Sequence, residues 1–493
     1  MYLKKLIPLI ILLFIWQLAI PQIPPANPHL IDSPFPLVHR NNYRQGYSDL
    51  PALFGRDSIR VRTLLTPNDR VSPWLQLSEV YPDGSRTLWG STSTHIWKAY
   101  STPDSFFLVD AYQIDFNPAI NDLSWAFLQL GNHQVLTYDD NRLLKFADQN
   151  PNDPLSPILL VEEDSVPAGI GTPAKLTRLY DGSIAFASDI GVIGLIDDNL
   201  NLLDTLRLPL AADETAFHND FASDEKGGIY TITSKKMMRL QVTNQQLFVD
   251  WQVPRDFGGN NIQGVGTTPT LLGNESDRLV CVVDSKQPAN LLSFWRDSIP
   301  ADWTGLPGED IRIAAVTPLP NSGPISPLYT AVENSPVAYG YGIACAQYNG
   351  LLGQSCQTAK GVYKMEWDTL NNRMELMWHR QDINLNNVLA YSRPDNLIYG
   401  SGREDDCLYY YYGLDWQTGE TELKVPLGAQ PYFDDPGNAN VILDDGSIVY
   451  NSKERLIQVQ PVARPLGLAQ ENDPIQLRVF PNPSQGILKL EWE

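Results

Sequence analysis

The sequence predicts an all-β chain folded as an eight-bladed β-propeller, with seven blades as the alternative. Short β-rich runs bounded by Gly, Asp, Asn and Pro recur along most of the 493 residues, while helical periodicity is almost absent. The turn signals keep a beat: Asp83-Gly84, Gly131-Asn132, Asp181-Gly182, Gly227-Gly228, Asn274 to Asp277, Ser335-Pro336, Pro394 to Asn396 and Asp445-Gly446 lie 46 to 61 residues apart. Each is followed by a β run such as SIAFASD, GIYTITS, RLVCVVD, PVAYGYG, NLIYGSG or SIVYNS, and two further strands usually follow. Four strands per period of this length make one propeller blade.

The chain opens with Lys4 and Lys5, then the apolar run Leu6 to Trp16. That run is shorter than the roughly 20 residues that span a bilayer and has the length of a signal-peptide core, so residues 1–20 read as a signal peptide or an N-terminal anchor. Residues 21–57 read as a Pro-rich linker and 58–462 as the propeller. The last repeat, NVILDDGSIVYNSKERLIQVQP, supplies only three strands, and SIRVRTLLTP, Ser58 to Pro67, is free to give the fourth. An N-terminal strand would then close the ring and remove an open sheet edge. Many strands are continuous apolar runs, as expected when both faces of a blade pack on neighbours. Trp251, Trp295, Trp367, Trp378, Trp416 and the block Tyr409 to Tyr412 are read as inter-blade packing. Residues 463–476 read as a second linker.

With 36 Lys+Arg against 57 Asp+Glu, the formal charge is −21, and there is no basic run, which speaks against a nucleic-acid partner. A small polar ligand, a glycan or a protein bound at a propeller face fits better. Of four cysteines, Cys345 and Cys356 bracket the insertion AQYNGLLGQS and are expected to form a disulfide if the chain is exported. Cys281, in RLVCVVD, reads as a buried inert thiol. GxSxG, HExxH and GxxxxGK[ST] motifs are all missing from the sequence. Asn274-Glu-Ser matches a glycosylation sequon but falls in an expected blade turn.

Candidate chemistry comes from polar residues just ahead of the turns, on strands that would line a central channel. They are His218, Asn219 and Asp220; Thr267 and Thr268; Glu333 and Asn334; Asn386 and Asn387; and Asn438 and Asn440. Carboxylate and amide oxygens from several blades suit calcium, which takes six to eight oxygen ligands, so Asn219, Asp220, Glu333, Asn387 and Asn440 are the candidate metal ligands. Glu333 and His218 are the candidate catalytic pair, Glu333 as a general base. The first reading of the same residues is a plain one, in which they satisfy strand ends and bind channel water.

Two resemblances follow from these residues. The eight-unit pattern over roughly 58 to 462 resembles the quinoprotein-alcohol-dehydrogenase-like β-propeller superfamily; GVGTTPTLLG, YTAVENSPVAYGYG, GVYKMEWD and LDWQTGE are similar to exported bacterial propellers of unassigned activity. The quinone enzymes carry tryptophan docking motifs; here LDWQTGE keeps Asp415 and Gly419 but not the closing Trp, and the adjacent-cysteine pair is missing, so a quinone cofactor is not expected. Calcium propeller lactonases of the gluconolactonase type imply parts for Glu333, Asn387 and Asn440, which gives a metal-dependent lactonase or esterase, and after it a quinone-dependent dehydrogenase, as the rival to a binding or scaffold module. At the C-terminus, LRVFPNPSQGILKLEWE, Leu477 to Glu493, resembles the opening of a type IX secretion sorting domain through Val479, Phe480, Pro481, Asn482, Pro483, Ser484 and Gly486. It implies a Bacteroidetes-type secretion machinery as partner and a secreted or cell-surface location, or the periplasm if the tail does not function.

Overall fold

The computed structural model describes residues 24–462 apart from short stretches, the longest being 115–126, 259–265, 324–330 and 349–355, together with the backbone of two strands between 477 and 492. Eight antiparallel sheets follow one another as blades 1 to 8: 71–113, 127–165, 173–207, 222–254, 270–318, 337–380, 390–428 and 440–461. The first strand of each blade is innermost, and inner strands contact one another in turn from blade 5 through 6, 7, 8, 1 and 2 to blade 3. The second and third strands are buried on both faces, as in Ile184–Ser188 (IAFAS) and Val192–Ile196 (VIGLI). Outer strands alternate, as in Ile158–Ser165, because only one face meets a neighbour. In blades 1 to 7 the pairing of the outermost strand carries a register shift, a bulge that adds local twist.

Blade 8 has three strands of its own, and Ile59–Leu65 is its fourth. It pairs antiparallel with Arg455–Pro461 over seven positions, from Ile59↔Pro461 to Leu65↔Arg455. The ring is therefore closed by the N-terminal strand that the incomplete last repeat called for. Leu477–Asn482 and Ile487–Trp492 form a hairpin whose second strand meets the outer edge of Ile59–Leu65 at Val61↔Leu488. Residues 1–20, the second linker 463–476 and the Asn274 sequon lie outside the described residues.

Aromatic side chains seal the seams between blades. Trp295 of blade 5 and Trp367 of blade 6 meet edge to face at 5.4 Å, Tyr411 of blade 7 stacks on Tyr450 of blade 8 at 5.7 Å, and the Trp378 indole donates to the Trp416 carbonyl across blades 6 and 7 at 3.1 Å. Such rings bury large areas and orient edge to face or offset, so each seam is both apolar and directional.

Three expectations need correction. Residues 24–56, the described part of the expected linker 21–57, are not a spacer. They form a strap laid on one end of the ring, with Phe35, Leu37, Tyr43, Arg44, Tyr47 and Leu53 all buried. Its carbonyls take up N–H groups of the inner strands: Phe35 from Leu77 of blade 1, Asn42 from Ser223 of blade 4, Tyr43 from Leu271 of blade 5 and Gln45 from Ala338 of blade 6, at 2.7–3.0 Å. Tyr47–Ser48 adds in parallel to the inner edge of blade 7 at Tyr391 and Ser392. At blade 8 the strap passes so close to Gly446 that a Cβ there would stand 3.2 Å from the Pro51 and Ala52 carbonyls.

The disulfide is Cys356–Cys407, not Cys345–Cys356. Cys345 lies on Gly342–Ala346 with its thiol in the core between blades 5 and 6, where burial raises its pKa to about 12. Cys356 instead reaches the turn between the second and third strands of blade 7, 51 residues on. Finally, the first turn of blade 6 falls between Tyr339 and Gly342, with Gly340 at φ 62°, so Ser335-Pro336 precedes the inner strand instead of following it.

Candidate functional site

The described members of the polar set singled out in the sequence lie at or just before the N-terminal ends of the inner strands, while the strap's backbone bonds residues farther along them; Asn438, like His218, lies outside the described residues. Most of their amides are spent between blades. Asn219 donates to the Gly266 carbonyl, joining blade 4 to the approach to blade 5. The Thr268 N–H donates to Ser335 at 3.3 Å. Asn334 donates to the Asn386 carbonyl at 2.9 Å, and Asn386 to Asp434 at 3.1 Å. Asn387 donates to the Asn440 Oδ1 at 3.2 Å; that oxygen also accepts from the Tyr411 hydroxyl at 2.8 Å, while Asn440 Nδ2 donates to the Val388 carbonyl at 2.7 Å. A belt of amides thus ties blades 4 to 8 around the axis, satisfying groups that burial would otherwise leave unpaired.

The charged groups behave differently. Asp220 of blade 4 is buried, and Arg44 of the strap is fully buried beneath it, its Nη2 at 3.3 Å from the carboxylate. The guanidinium is fixed by the Phe221 carbonyl at 2.9 Å and the Val38 carbonyl at 2.5 Å. Burial lowers the Arg44 pKa and the Asp220 charge opposes that. Lys175, on Pro173–Arg178 of blade 3, is buried as well; desolvation lowers its pKa, against the pull of Asp220 and Glu333. Glu333, half-buried, approaches from the segment before blade 6. Four charges of alternating sign therefore converge from the strap and blades 3, 4 and 6, an arrangement buried ions require.

Among the expected metal ligands, Asp220 and Glu333 share this charged cluster, whereas Asn219, Asn387 and Asn440 belong to the amide belt. His218 lies outside the described residues, so the Glu333–His218 pair has no geometry to judge. The donor set does not suit calcium. The Asn440 oxygen already accepts two hydrogen bonds and the Asn387 oxygen accepts the Ser401 N–H at 3.2 Å, and the cationic ends of Arg44 and Lys175 stand where a dication would compete for the two carboxylates. Among the described residues, no group of three or more His, Cys, Asp or Glu is placed to hold a metal ion. Arg44 and Lys175 were not singled out from sequence. A lysine inside an otherwise ordinary inner strand, PAKLTR, was the signal available for one of them.

No family model matches the chain. It is 28% identical over 451 residues to an uncharacterized protein of Archaeoglobus fulgidus, covering 86% of this chain and 87% of that one. Among solved structures it is similar to a europium-containing methanol dehydrogenase, with a TM-score of 0.50 and 10% identity over 85% of this chain and 89% of the other. It is also similar to BamB from Moraxella catarrhalis, with a TM-score of 0.43 and 10% identity over 83% and 98% of the two chains. At such identity the likeness to the dehydrogenase shows a shared β-propeller fold, and neither its metal nor its activity passes to this chain.

Proposed function

We propose that this propeller is a binding module whose channel holds a small polar ligand, entered from the end opposite the strap. The observation that carries the reading is the buried Arg44–Asp220 pair beside a buried Lys175 that feels the charges of both Asp220 and Glu333. A desolvated site with both cationic donors and anionic acceptors recognises a neutral or zwitterionic ligand that offers both, such as a sugar or an amino acid. The Cys356–Cys407 bridge supports an exported location, because disulfides persist in oxidising compartments.

A thermal-shift screen of the purified chain against sugars, amino acids, lactones and divalent metals tests the reading. A true ligand at about 100 times its Kd stabilises by roughly 2.7 kcal/mol. The shift is expected to vanish in Lys175→Met and in Glu333→Gln. If no compound stabilises the protein, or if the shift survives both substitutions, the channel is not the binding site. A calcium-dependent shift lost in Glu333→Gln would replace the polar-ligand reading with the metal one.

A further inference from the structure

The strap brings more to the channel than a cover of backbone. Its backbone is left-handed at His39, Arg40 and Arg44, with φ of 56°, 73° and 58°. Residues with a side chain seldom adopt this conformation, and it persists where the surroundings over-determine it. Here the surroundings are the inner strands of blades 4 to 7, to which the strap is bonded on either side of Arg44. The outcome is directional: the Arg44 side chain is sent into the channel, to the Phe221 carbonyl and the Asp220 carboxylate.

We propose that the N-terminal strap is a working part of the chamber: by inserting Arg44 it closes one end of the channel and occupies Asp220, leaving Lys175 and Glu333 as the charges that an entering ligand meets. Arg44 is then a positioning residue, acting on the ligand through Asp220 and Lys175. The proposal rests on the reading of the channel as a binding chamber. Among the described residues, the charges that act on Lys175 include Asp220 from blade 4 and Glu333 from the segment before blade 6. Behind Asp220 stand Arg44 and, on the strap beside it, His39.

The test reads Lys175 itself. The full-length chain is labelled with a small acylating reagent across a pH series, and the peptide carrying Lys175 is quantified against one carrying the exposed Lys226. An amine reacts only when deprotonated. Arg44→Gln removes the cation that holds Asp220, so the Lys175 ammonium is better stabilised, its midpoint rises, and labelling at fixed pH falls several-fold. Asp220→Asn removes one of the two carboxylates, so the midpoint falls and labelling rises. These opposite signs are expected from electrostatic coupling, whereas loosened packing would raise labelling in both variants. Wild-type profiles in either folded variant, or shifts of the same sign in both, overturn the proposal. Should Asp220→Asn fail to fold, the sign in Arg44→Gln decides alone; should Arg44→Gln fail, Arg44→Met takes its place, because loosened packing by itself would also raise labelling in Asp220→Asn. A ligand screen that finds nothing would remove the chamber reading without altering these midpoints, so the two failures are distinguishable.

Discussion

Asn440 holds three partners at once: the Asn387 amide, the Tyr411 hydroxyl and the Val388 carbonyl. All of these lie in the buried seam between blades 7 and 8. Replacing it with Ala leaves each partner without its bond, and an unpaired buried polar group costs roughly 1–3 kcal/mol. Asn440→Ala is therefore expected to lower the unfolding free energy by about 2–4 kcal/mol, measured by urea denaturation, with no change in any response to calcium. A loss below about 0.5 kcal/mol would show that the belt is not what holds this seam. The polar identity of these positions was legible in the sequence, but their job was not. An Asn reads the same whether its amide points to the lumen or to the neighbouring blade, and only the register of adjacent inner strands decides. Lys175 was passed over for a related reason: a strand lysine normally faces solvent, and burial becomes visible only when the ring closes around it.

At the scale of elements, the closing strand was legible because blade 8 is one strand short and Ile59–Leu65 has the β composition to fill it. The strap was not. It works through backbone carbonyls, which any residue supplies, so it leaves no periodic pattern. The cysteine pairing failed on geometry, since proximity in sequence does not tell which way a strand side chain points. The Cys356–Cys407 bridge closes a loop of 51 residues between blades 6 and 7. In the chain-entropy view such a loop stabilises by about 3–4 kcal/mol. Cys407→Ser is expected to lose about that much, and reductant is expected to shift the wild type but not the variant. Thiol mapping of the unreduced, unfolded chain should find Cys281 and Cys345 free. Recovery of a free Cys407 instead would restore the Cys345–Cys356 pairing.

At the scale of the whole molecule, burial of histidines contributes to how stability responds to acid. His39, His95, His133 and His379 all have pKa values lowered from 6.5, with desolvation as the first cause in each. For His39 the fall is the deepest and the Arg44 charge adds to it. A depressed folded pKa means that the unfolded chain takes up protons first as pH drops. The stabilisation is present above about 6.5 and is lost progressively as pH falls toward the folded values. Carboxylates that are depressed, such as Glu225 and Asp297, titrate below this window. Asp148 and Asp284, raised by burial, act in the opposite sense. Comparing the wild type with one substitution isolates His39 from that background. Asn is the replacement of choice, because it tolerates the left-handed φ of 56° and cannot take up a proton. The backbone role of this residue, whose carbonyl accepts from Asn41 and Gly46, survives the change. The unfolding free energy of the wild type is expected to fall more steeply from pH 7 to pH 5 than that of His39→Asn, followed by urea denaturation at each pH. Parallel slopes would mean that the strap stays docked when His39 is protonated, and that the acid response belongs to other titrating groups.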